Sequence, residues 1–84
     1  MKYVYQVKER LYLECETKVP YSRIVFYTSF KKAQDDFNVR VENYQQGATI
    51  LFQDEYGTAC YTKEITMKKG NVLYDVILEK HKVY

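Results

Sequence analysis

Eighty-four residues allow a single domain, residues 1–84, built around one hydrophobic core. With 46% hydrophobic and 29% charged residues, one proline and three glycines, low-complexity disorder is excluded. A net charge of +2, with eight basic and eight acidic side chains in residues 1–57 and five and three in residues 58–84, is too small a tilt to mark a nucleic-acid footprint.

Tyr3, Tyr5 and Val7 alternate with Lys2, Gln6 and Lys8, a period of two that predicts a strand. Leu11, Leu13 and Cys15 resume the same parity against Tyr12, Glu14 and Glu16, with Glu9 and Arg10 between the runs as the place for a bend or bulge. Charges interrupt this segment too early for a secretory signal, and no run approaches the roughly 18 apolar residues of a membrane span, so the expected location is the cytoplasm. Val19-Pro20-Tyr21-Ser22 reads as a connection, because proline fixes φ and donates no ladder hydrogen bond. Residues 23–28 make the next predicted strand, β-branched and aromatic, with Ile24 and Phe26 on one face.

The period changes at Ser29. Phe30, Ala33, Phe37, Val41 and Tyr44 recur at spacings of three and four and build one apolar stripe on a helix over about residues 29–46. Thr28 or Ser29 suits its N-cap and Gly47 its left-handed C-terminal cap. Lys32 with Asp36, and Asp36 with Arg40, are four apart and are expected to pair on the outer surface. An alternation over residues 39–44 leaves a second reading, in which the helix stops near Asn38 and a strand follows. Residues 49–54 hold the apolar run Ile50-Leu51-Phe52, Glu55-Tyr56-Gly57 reads as a short hairpin loop, and residues 58–67 follow as a strand. Lys68-Lys69-Gly70-Asn71 is a second tight turn, and residues 72–80 close the series. The fold class is therefore α+β: a ββαβββ order, with a twisted antiparallel sheet and the amphipathic helix packed on one face.

No catalytic constellation stands out. His81 is the sole histidine and reads as a solvated terminal residue; Cys15 and Cys60 read as reduced, half-buried thiols, and with one histidine they match no common zinc spacing. The glycines lie singly at 47, 57 and 70, so no phosphate loop forms. Asp35 and Asp36 point about 100° apart on a helix; Glu14 and Glu16 share a strand face and read as an exposed acidic edge. No cofactor, metal ligand or enzyme activity is expected.

The oddity is ten tyrosines without a tryptophan, several interleaved with lysine and arginine. Tyrosine offers a stiff contact area with a polar tip and is enriched in binding surfaces, although β-rich domains also carry it on half-buried strands. The candidate partner-binding residues are Tyr3, Tyr5, Tyr12, Tyr27, Tyr61, Lys63, Lys68 and Lys69. Three readings follow: a non-catalytic protein-binding module, a single-stranded nucleic-acid binder that stacks bases on tyrosines, or a homodimer paired edge to edge through the long first strand. The segment Ile24-Val25-Phe26-Tyr27-Thr28-Ser29-Phe30-Lys31-Lys32-Ala33, a strand running through Thr-Ser into a helix, resembles short accessory proteins of bacteriophages and mobile elements. That resemblance implies a small inhibitor or modulator that occupies a site on a host protein, a defence nuclease among them, and it transfers no active site.

Overall fold

The computed structural model describes residues 2–14, 21–57 and 60–83. In chain order the elements are β1 (Lys2–Leu13), β2 (Tyr21–Tyr27), α1 (Phe30–Gln45), β3 (Thr49–Tyr56), β4 (Thr62–Lys69) and β5 (Val72–Val83). All five strands join one antiparallel sheet in the order β2-β1-β5-β4-β3, with α1 against one face.

The first and last strands lie in the middle. β1 runs antiparallel to β5 in unbroken register from Lys2↔Val83 to Leu13↔Val72. The predicted bend at Glu9 and Arg10 is absent, since both residues sit in the ladder opposite Val76 and Asp75. β1 is flanked by β5 along its length and by β2 over Tyr5–Leu11, so the first strand is an inner strand rather than the edge expected for edge-to-edge pairing of two copies. The free edges are β2 and β3.

Register fixes the two faces. Under the helix lie Val25 of β2, Val7 and Glu9 of β1, Tyr74, Val76 and Leu78 of β5, and Ile65 and Met67 of β4. Ala33 and Phe37 close the core from above, with Val41 and Tyr44 at its margin. The helical stripe is therefore the predicted one, and the strand alternative for residues 39–44 is excluded by the continuous helix. Ser29 caps it, its hydroxyl accepting from Lys32 N at 3.4 Å. Gly47, at φ 75°, takes the left-handed conformation just beyond the C-cap Gln46.

Four local expectations are corrected. First, Tyr21 and Ser22 belong to β2 and not to the connection before it. Ile24 and Phe26 share one face as expected, and it is the face away from the helix, Phe26 being 61% exposed, because Tyr27 on the other parity turns inward to donate to Asp36. Second, Asp36 and Arg40 do not pair on the outer surface but lean over β1 and β2; the exposed pair on the helix is Lys31–Asp35, at 3.2 Å. Third, Lys68 and Lys69 belong to β4, Glu55 and Tyr56 belong to β3, and the β4–β5 turn is the two-residue Gly70-Asn71 loop. Fourth, His81 is exposed as expected but lies within β5 and not in a terminal segment beyond it, 3.3 Å from Glu79.

The face assignment has a direct test. Met67→Ala, at a side chain with no exposed surface, is expected to cost about 2–5 kcal/mol in chemical denaturation. Ile24→Ala is expected to stay within about 0.5 kcal/mol, and equal losses at the two sites would contradict the assignment.

Candidate functional site

The charged groups inside the molecule are committed to one another. Glu9 is only 4% exposed, beneath α1. Its Oε1 accepts from Tyr21 Oη at 2.9 Å and from Arg40 Nη1 at 3.0 Å, with Arg23 Nη1 at 4.0 Å, and its Oε2 accepts from Tyr74 Oη. Arg40 Nε also reaches Asp36 at 3.0 Å, and Asp36 accepts from Tyr27 Oη at 2.7 Å. A chain of polar contacts thus ties three strands to the helix. On the opposite face Arg10 Nη2 meets the buried Asp75 at 2.7 Å, with Tyr12 Oη at 3.4 Å. Glu9 and Asp75 are thus held by partners within the molecule.

The tyrosines record this in their ionisation. Burial, then the hydrogen bond to Glu9, pushes the Tyr74 phenol far above its usual value. Burial and the Glu55 carboxylate push Tyr61 up to about 12. Tyr21 and Tyr27 are raised chiefly by donating to Glu9 and Asp36, and Tyr12 by desolvation and Asp75.

The candidate residues read from sequence do not share one surface. Tyr5 and Tyr61 gather on the helix side around Phe30, in edge-to-face contacts of 5.4 and 5.5 Å, and with Lys80 they line a hollow of about 300 Å³. Tyr3 lies beside it under Lys80 Nζ at 4.0 Å. Tyr27 faces the helix. Lys63 lies over the Phe37 ring and 3.8 Å from Glu55, and Lys69 lies over Tyr44. Tyr12 and Lys68 are on the other face, Lys68 bound to Glu14 at 2.8 Å. Cys60 is a free thiol and exposed rather than half-buried, while Cys15 and Glu16 lie outside the described residues.

The surface that stands out was missed. α1 packs on β5, β1, β2 and β4 and leaves β3 largely outside its footprint. All eight residues of β3 are exposed, Leu51 at 54%, Phe52 at 48% and Tyr56 at 51%. A register shift between Ile50 and Phe52 makes Leu51 the extra residue of a bulge, which turns Ile50 to the helix side and Phe52 to the other. Between α1 and β3 opens a groove of about 490 Å³ of mixed character, with Phe37, Val41, Ile50 and Ile65 as its apolar part and Asp54, Glu55, Lys63 and Glu64 among its polar lining. Gly57, at φ 84°, lets the chain leave β3, and a Cβ there would stand 2.5 Å from the Cys60 carbonyl oxygen. The sequence did carry a signal: three consecutive apolar residues at 50–52 cannot all face one core from a half-buried strand.

Among the described residues no group of three or more His, Cys, Asp or Glu side chains is placed to hold a metal ion, and no helix is long and apolar enough to cross a membrane. No protein-family model matches the chain, and no curated protein matches it.

Two measurements test the internal network. Arg40→Met leaves Glu9 without its nearest cation and is expected to cost about 3 kcal/mol, the low end for unpairing a buried charge because Arg40 is 26% exposed. Glu9→Gln, which keeps an acceptor for the tyrosine hydroxyls, is expected to cost less than Arg40→Met. For the phenols, folded values above the usual 10.0 mean that the folded state retains protons which the unfolded chain releases. Their contribution is present in full below pH 10.0 and is lost as pH rises, between 10.0 and about 12 for Tyr61. Tyrosinate absorbance is expected to show late-ionising phenols, with unfolding setting in through that window; ten phenols titrating together near 10 would contradict it.

Proposed function

We propose that this chain is a non-catalytic protein-binding module, of the kind a bacteriophage or mobile element uses to occupy a site on a host protein such as a defence nuclease. The observation that carries the reading is the exposed apolar edge formed by Ile50, Leu51, Phe52 and Tyr56 on β3. β3 is an edge strand that keeps these apolar side chains exposed even though it is bulged and carries Asp54 and Glu55, and an exposed apolar patch of this kind marks an interaction site. Its retention in a small domain is accounted for by a partner that covers it.

Aromatic residues support the reading. Phe52 and Tyr56 lie on the uncovered face of the sheet with Phe26 at the far edge, and large rigid rings are what anchor protein interfaces. The single-stranded nucleic-acid reading has less to draw on, because Lys63 and Lys68 are held by Glu55 and Glu14 and Lys69 lies over Tyr44. A phosphate backbone would have to displace those carboxylates first.

Immobilised wild-type chain is expected to retain one bacterial protein in near-stoichiometric amount, identified by mass spectrometry. Phe52→Lys, at an exposed site, is expected to leave the thermal melt unchanged and to weaken retention by about 2 kcal/mol, roughly thirtyfold. No stoichiometric capture, or capture indifferent to the substitution, would remove the support that β3 gives.

A further inference from the structure

We propose that β3 and its groove take an extended segment of the partner, which adds to the sheet as a sixth strand and alternates aliphatic with basic residues. This rests on the protein-binding reading and specifies the chemistry of what is bound.

β3 pairs with β4 on one side only, so alternate residues along its other side direct backbone N–H and C=O groups outward. An added strand satisfies such groups with its own backbone, and pockets for its alternate side chains supply the selectivity. Those pockets differ between the two faces. On the helix side, Phe37, Val41, Ile50 and Ile65 form the apolar part of a groove whose remaining lining is polar, so aliphatic side chains have a place beside a polar rim. On the opposite face, Asp54 stands directly across the ladder from Glu64. Like charges directly opposed across strands are destabilising, and among the described residues neither carboxylate has an ion pair. The groove's own cation, Lys63, is already beside Glu55 and over Phe37.

Successive side chains of an added strand point to opposite faces. One set therefore meets Ile50 and Ile65 in the groove while the other meets the side chains of Asp54 and Glu64, whose register parity is the opposite one, and there lysine or arginine relieves the repulsion. A second copy of this chain fits poorly: β3 carries Asp54 and Glu55 and no basic residue, so pairing it with itself brings further carboxylates to the same seam.

The test uses the full chain and capped eight-residue peptides alternating Val with Lys, Val with Glu, and Val with Ser, followed by amide chemical shifts. The Val-Lys peptide is expected to shift β3 amides together with Phe37 and Val41, and to bind at least about tenfold more tightly than the Val-Glu peptide. Asp54→Lys is expected to lower Val-Lys affinity about tenfold or more while holding or raising the melting temperature, a pairing of effects that misfolding cannot produce. Equal binding of the three peptides, shifts away from β3, or concentration-dependent β3 shifts without peptide would overturn the inference. If a host protein is captured but its retention is indifferent to Asp54→Lys, the binding reading stands and the strand-addition inference falls. If the Val-Lys peptide binds β3 as described and no host protein is captured, the reverse holds.

Discussion

An α-helix with its side chains is about 10 Å across, whereas five strands spaced about 4.8 Å apart span roughly 20 Å, so one helix covers about half of this sheet. That mismatch governs the molecule. The core forms where α1 lies, over β1 and β5 with the inner sides of β2 and β4, and the fully buried side chains Met67, Val76 and Leu78 are all there. The strand left over is β3, because it is the sheet edge beyond β4. Its exposed apolar residues follow from the same arithmetic, since a sheet with one helix has no second layer to bury them.

The helix also has to be held in place over a surface wider than itself. Apolar contact is non-directional and tolerates sliding across neighbouring ridges. The buried Glu9 does not, because it accepts from Arg40 on the helix and from Tyr21 and Tyr74 on two different strands. Burying a carboxylate is costly, and an ion pair in the interior adds little net stability over an apolar replacement. What it contributes is position: Arg40 reaches Glu9 and Asp36 together only when its turn of α1 lies above β1.

The helix was legible in the sequence because Phe30, Ala33, Phe37, Val41 and Tyr44 keep one period throughout. Strand existence and order were legible for the same reason, through alternation and the glycine-bearing turns. The facing of β2 was not. Judged by polarity, Ile24 and Phe26 belong inside and Arg23 and Tyr27 outside; the fold reverses this because Arg23 and Tyr27 find carboxylates under the helix. Glu9 failed in a similar way. Its parity matches Val7 and Leu11, but its charge suggested an interruption, and only its partners 12, 31 and 65 residues away make burial tolerable. Strand order across the sheet is a non-local property, so the central place of β1, and with it the identity of the free edges, was outside the reach of any local pattern.

The two free edges are not equivalent, and the difference bears on how the domain avoids indiscriminate pairing while keeping one edge open. β2 is fastened to the helix through Tyr27 and Asp36 and to β1 through Tyr21 and Glu9, so the inward side of that edge is occupied by the molecule's own polar network. β3 lacks such ties to the helix but carries two restraints of its own. The bulge at Leu51 breaks the regular spacing that edge-to-edge aggregation needs, and the Asp54 carboxylate accepts from the Glu55 backbone N–H at 2.8 Å. Both restraints discourage a flat, neutral strand. The bulge limits regular pairing to the part of β3 beyond it, while the carboxylates favour a segment carrying positive charge over neutral or acidic alternatives. On the proposed reading, selectivity at β3 thus comes from the same acidic residues that keep the free edge from pairing with copies of itself.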